Sequence, residues 1–98
     1  MYKVPATIKA NAKRGLRLNK EAGNPCNNRI GQRRAAQLIT KNEISLATIK
    51  KMYSYLSRAK TYYRPKNNKA CGTISYLLWG GIPALSWTKN IVKSDVKK

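Results

Sequence analysis

Between Ser75 and Trp87 the chain reads SYLLWGGIPALSW, and this short run holds both tryptophans with a Gly80-Gly81 pair between them. Everywhere else lysine and arginine crowd the sequence, so any fold must bury this stretch, the densest source of apolar surface. It is too short to cross a bilayer: an apolar run of about fourteen residues, broken by two glycines and a proline, cannot span one as a helix. It reads instead as a latch. A short helix over residues 73–79 ends at Trp79, the glycines reverse the chain, and Pro83 starts a last helix with Ala84, Trp87 and Ile91 on one side. Leu77, Leu78, Trp79 and Trp87 would then cover a core built by the helices before them.

Three earlier segments have helical periodicity. From Pro5 to Ala22, Ile8, Ala12 and Leu16 recur at four-residue spacing, with Gly15 beside them and Gly23 just past the end. A second helix is expected from Arg29 to about Lys41, capped by Asn27 or Asn28, with Ile30, Ala35, Leu38 and Ile39 facing inward and Arg29, Arg33 and Arg34 outside. Ser45 reads as the N-cap of a third helix, from Leu46 to about Tyr63, with Ile49, Met52, Tyr53, Leu56 and Tyr63 on its apolar face. The loops GNPCNN (23–28) and RPKNNKACG (64–72) separate these segments by composition, and Pro65 ends the third helix. No strand pattern competes. The expected fold is all-α, a compact bundle of four to five helices in one small domain over residues 1–92, followed by a flexible basic tail, 93–98.

Charge bounds the function. Twenty-one Lys and Arg face three carboxylates, Glu21, Glu43 and Asp95, for a formal net charge of +18. Such an excess repels itself in a folded domain and points to a polyanionic partner. Histidine is absent, and three scattered carboxylates do not make a two-metal or glycosidase site. Cys26 and Cys71 form no CxxC, so no zinc module is written here; each reads as a small buried hydrophobe, with a disulfide between them left open. The chain is expected not to be an enzyme, and no cofactor or metal is implied. Nothing resembles a secretory signal, which makes a reducing cytoplasm, or a particle assembled there, the default.

The candidate phosphate contacts follow from the cations. Lys9, Lys13, Arg17 and Lys20 form a stripe along the first helix, with Arg14 beside it. Arg29, Arg33 and Arg34 cluster on the second helix, Lys50 and Lys51 decorate the third, and Arg64, Lys66 and Lys69 make the second loop basic. RRAAQLITKNEISLATIKKM invites a helix-turn-helix reading that would aim Ser45, Ala47, Thr48, Lys50 and Lys51 at DNA. The connection from Thr40 to Ser45 is long for that motif, and those positions lack the Arg, Asn or Gln that form bidentate base pairs, so a plain helical hairpin of the core is the preferred reading. Tyr53, Tyr55, Tyr62, Tyr63 and Tyr76 are candidates to stack on unpaired bases. Core roles suit Tyr53 and Tyr63 better, and Tyr62, beside Arg64, is the better contact.

The layout also resembles a small domain of tailed phages and large DNA viruses. That group has an N-terminal helix of the form VPxxxxxxAxxGLxLR, matched by Val4, Pro5, Ala12, Gly15, Leu16 and Leu18. A segment like RAxxLxxGxxhSxxTIxRMxSYfxRH is matched by Arg34, Ala35, Leu38, Ser45, Thr48, Ile49, Met52, Ser54, Tyr55 and Arg58. The last block ends LLWGG, matched by Gly72, Ile74, Leu77, Leu78, Trp79, Gly80 and Gly81, with Trp87 beyond. The resemblance covers about ninety residues. It implies a viral gene and a domain sometimes appended to larger phage proteins, and carries no activity with it. This chain departs from the group where relatives often have a His and acidic residues after the third helix, having Ala59, Lys60, Arg64, Lys66 and Lys69, and it has Ile82 where an acidic residue tends to follow WGG.

The sequence therefore leads to the expectation of a small basic viral protein that binds DNA mainly through phosphates with low sequence specificity, in the host cytoplasm or the virion interior. RNA stays open on the same contacts. The alternative is a structural or adaptor module for a capsid, portal or acidic host protein, with Ile82 and Leu85 as its exposed apolar surface. No integral membrane association is expected.

Overall fold

The first long helix, α1 (Ala6–Glu21), buries Ile8, Ala12, Gly15 and Asn19, a stripe at four- and three-residue steps. Pro5 stands just before it in extended conformation, and its end is closed by the Ala22 and Gly23 amides, which donate to the Leu18 and Lys20 carbonyls. The structure is a computed structural model that describes residues 1–23, 29–67 and 70–96. The Asn27 or Asn28 cap, Cys26 and Lys69 lie outside the described residues.

Helix α2 (Arg29–Thr40) buries Gly31, Ala35 and Leu38, but Ile30, expected inside, is 69% exposed. One residue further round the helix, Gly31 takes the inward position. The next segment holds the one strand pairing among the described residues. Residues 43–44 (β2, Glu43–Ile44) pair antiparallel with Tyr2–Lys3 (β1), Tyr2 opposite Ile44, and the Val4 amide donates to Asn42 O at 2.9 Å. This small clip buries Val4 and Ile44 at the core's edge.

Ser45 then caps α3 (Leu46–Ala59), its hydroxyl accepting from the Thr48 amide at 3.2 Å, as the sequence predicts. Ile49, Met52 and Leu56 are fully buried against α5 (Gly81–Val96). A short 3-10 turn over Lys60–Tyr62 ends the helix earlier than its expected limit, and Tyr63 is extended. Tyr63 stacks on Tyr76 at 5.0 Å, the core role expected of it.

The latch reading gives way to a different arrangement. Helix α4 (Cys71–Leu78) is apolar nearly all round and lies at the centre, burying Thr73, Ile74, Tyr76, Leu77 and Leu78, with α1, α2, α3 and α5 against it. It is the hub of the bundle rather than its cover. Its two buried polar side chains are hydrogen-bonded: Tyr76 Oη donates to Leu56 O at 3.0 Å, and Thr73 Oγ1 donates to Arg64 O at 2.8 Å while accepting from the Arg64 amide at 2.9 Å. Two glycines with φ of +106° and +74°, Gly80 and Gly81, reverse the chain between α4 and α5, a conformation that other residues adopt only under strain. Asn11 of α1 donates to the Gly80 carbonyl at 2.9 Å and ties the reversal down. Pro83 falls in the first turn of α5, where its missing N–H costs nothing. The helix continues through Val96, past the point where a tail was expected from residue 93. Trp87 is half-buried and packs on the core's flank.

Five α-helices among the described residues thus form a compact all-α domain. Its radius of gyration, 12.8 Å, is close to the ~13 Å of a 100-residue globule. No helix among the described residues is long and apolar enough to cross a membrane.

The tightest crossing is between α1 and α4. A Cβ on Gly15 would stand 2.7 Å from Leu78 N and 3.0 Å from Leu77 C, both backbone atoms. Gly15→Ala must push the helices apart and should cost at least about 1–3 kcal/mol in a urea titration. Burial, reinforced by the nearby Tyr55 and Tyr63, pushes the Tyr76 phenol up to about 12. The folded state then holds that proton more tightly than the unfolded chain, in which tyrosine titrates near 10. Stability should be level below about pH 10 and fall as pH rises from there to about 12. Tyr76→Phe should flatten that decline, read from urea midpoints across the interval.

Candidate nucleic-acid interface

Helices α2 and α3 both rest on α4 but scarcely touch each other. They therefore form neither the helix-turn-helix nor the plain hairpin that their sequence allows. Ser45, placed at the start of the would-be recognition helix, is used as its cap. What lies between the two helices is an open groove of about 1020 Å³. Arg29, Ile30, Gly31 and Arg34 of α2 form one wall; Lys50, Lys51, Ser54, Tyr55 and Arg58 of α3 form the other; Ser75 and Trp79 make the floor.

The floor is a set of planar groups held in place. Tyr55 stacks on Trp79 at 4.3 Å with 21° between the rings. The Arg34 guanidinium carbon lies 5.0 Å from the same indole centroid, a cation–π contact. Arg34 was expected outside. It is half-buried because it stands one turn from the buried Gly31 and Leu38 on the same side of α2, and its Nη1 donates to Gln37 Oε1. Its Nε is buried without a hydrogen-bond partner among the described residues. Burial lowers the guanidinium pKa from its ordinary value, yet arginine stays charged near neutrality. Burial raises the Tyr55 phenol, partly offset by a hydrogen bond with Ser75, so Tyr55 stays neutral at physiological pH.

The walls carry five cationic side chains, Arg29, Arg34, Lys50, Lys51 and Arg58. One is partly answered: Asp95, near the end of α5, sits 3.6 Å from Lys50 Nζ. Glu21 lies instead on α1, 3.9 Å from Arg17 in an exposed i, i+4 pair, and Glu43 is in β2.

Four of the cations named from sequence, Arg29, Arg34, Lys50 and Lys51, thus meet at one place, and the others among the described residues do not line it. Lys13, Arg14, Arg17 and Lys20 are exposed along α1, Arg33 is exposed on α2, and Lys66 is exposed in the second loop. Arg64 is exposed too, with Nη1 bound to Thr61 O at 2.9 Å. Lys9 has another task. Its Nζ donates to the carbonyls of Leu38, Ile39 and Lys41 at 3.0, 3.2 and 2.9 Å, capping the C-terminal end of α2, whose own last turn has no basic residue.

The sequence names Arg58 only as a match to the resembled group and Trp79 only as cover for the core. The signal was available in part: Lys51, Tyr55 and Arg58 follow at i, i+4, i+7 and so share one face of α3. Cys71, read as a buried hydrophobe, is exposed and disulfide-bonded. No group of three His, Cys, Asp or Glu able to hold a metal occurs among the described residues. Comparison with known proteins finds no family model that matches the chain, no similar curated protein and no similar solved structure.

Lys9→Met keeps the aliphatic stem and strips the cap from three carbonyls. It should destabilise the fold by about 1–3 kcal/mol, measured by urea denaturation, while the salt dependence of nucleic-acid binding stays as in the wild type. A reduced salt slope at unchanged stability would return Lys9 to the phosphate contacts.

Proposed function

We propose that this chain is a small basic nucleic-acid-binding protein that holds DNA chiefly through its phosphates, with little sequence preference, and that it is a viral protein of the phage type its sequence resembles. The observation that carries the reading is the convergence of Arg29, Arg34, Lys50, Lys51 and Arg58 on one groove with Asp95 as the sole carboxylate paired there among the described residues. As these side chains neutralise phosphates they release the cations condensed on the nucleic acid, and that release drives binding. No Asn, Gln, Asp or Glu lines the groove among the described residues, and its Arg and Lys side chains can meet phosphates whatever the sequence, which fits low specificity. The exposed stripe on α1 and Arg33 extend the positive field beyond the groove and would steer a strand toward it. The disulfide at Cys71 favours the virion over a reducing cytoplasm as the compartment of the folded form.

A structural or adaptor role rests on less. Ile82 is 40% exposed, but Leu85, its intended neighbour in an apolar patch, packs against the core. The patch shrinks to little more than one side chain, well below what a protein interface needs.

The test is fluorescence anisotropy on labelled DNA across a salt series. With about five phosphates engaged, log K should fall against log salt with a slope near −4. The exposed pair Lys51→Gln and Arg58→Gln should together make that slope shallower by about 2. An unchanged slope in the double variant would remove the groove from the binding surface, and absence of binding at low salt would overturn the reading altogether.

A further inference from the structure

We infer that the groove receives an unpaired nucleobase, so that the protein's preferred ligand is single-stranded nucleic acid rather than a duplex; this rests on the phosphate-binding reading and specifies it. Phosphate contacts alone need only exposed cations, as on α1, and no recess. The space between α2 and α3 is instead a cleft of about 1020 Å³ with an aromatic floor, at the upper end of the range of pockets that enclose small planar ligands.

The floor offers what a base needs. Trp79 is 8% exposed, so it serves mainly as a backing plate that fixes Tyr55 and Arg34, and these two present planar surface to the cleft. Aromatic rings and guanidinium planes both stack on bases whatever their identity, which keeps recognition independent of sequence. Arg34 adds a second element: it lines the cleft and carries a charged plane held over Trp79. The track also has a continuation. A smaller recess of about 320 Å³, lined by Tyr55, Arg58, Ala59 and Tyr62, shares Tyr55 and Arg58 with the main cleft, and Tyr62 is 69% exposed. Aromatic and cationic side chains thus alternate from the main cleft to Tyr62, the arrangement of a surface that tracks a backbone while stacking its bases. In a duplex the bases are paired and stacked inward, and these planar surfaces would have nothing to meet.

The experiment compares three ligands with equal numbers of phosphates, by anisotropy at one salt concentration: oligo(dT), an abasic deoxyribose-phosphate strand, and a duplex. Oligo(dT) should bind about 5- to 100-fold more tightly than the abasic strand, and more tightly than the duplex. Tyr55→Leu should bring the oligo(dT)-to-abasic ratio close to one. Tyr62→Ala, at an exposed position outside the core, should lower it part of the way and keeps the test open if Tyr55→Leu does not fold. Oligo(rU) against its own abasic counterpart identifies which sugar is accepted, and a base-dependent gain with either sugar supports the inference. Equal affinity for all three ligands, or tightest binding to the duplex, would overturn it while leaving phosphate binding in place. Failure of all three to bind would instead defeat the phosphate reading beneath it.

Discussion

The crossing of α1 over α4 at Gly15 sets the geometry on which the rest of the domain depends. Because no side chain stands between the two backbones, the short apolar helix α4 sinks to the centre and the other helices gather around it. That depth fixes Trp79 at the end of α4, and Trp79 in turn fixes Tyr55 and Arg34. Core and groove are therefore parts of one structure. A change that lifts α4 by a fraction of an ångström alters both stability and the floor of the site, because close-packed interiors transmit such displacements rather than absorb them.

Much of the fold could be read from local pattern. The spacing of Ile49, Met52 and Leu56 marks the buried stripe of α3, Ser45 marks its start, and Gly80-Gly81 marks the reversal before α5. These signals are local: periodicity, a side-chain cap, a backbone that must take positive φ. The misreadings arose where the outcome depended on tertiary neighbours. Ile30 and Arg34 exchange their expected places because the buried face of α2 is set by the small residues Gly31 and Ala35, which allow close packing, rather than by its largest apolar side chain. Likewise α4 reads as a cover when taken alone, and becomes a hub only once α1 lies across it.

The site was legible to a similar degree. Composition leads to the expectation of a polyanionic partner, and the clusters on α2 and α3 contain four of the five cations that converge. Composition does not say which lysines are free to bind. Lys9 and Lys13 are one turn apart in the same stripe, yet one caps the end of another helix and the other is exposed. Nothing in the local sequence separates them, since the deciding partners are backbone carbonyls roughly thirty residues away. The groove itself escapes sequence reading for a related reason: it exists because α2 and α3 stay apart, and a gap between helices leaves no mark in the periodicity of either.

Asp95 gives the positive groove an internal competitor. Its carboxylate, carried by the penultimate described residue of α5, rests against Lys50 on the groove wall. A phosphate that settles on Lys50 must share that ammonium with Asp95 or displace it, so ligand exchange at this position differs from the release of a mobile counterion. Displacement removes this one tie between the end of α5 and α3, and by reciprocity whatever draws Asp95 away makes Lys50 a better anion acceptor. The end of α5 would thereby be coupled to the occupancy of a cleft it does not line, and a partner that draws on α5 would act as a volume control on the groove.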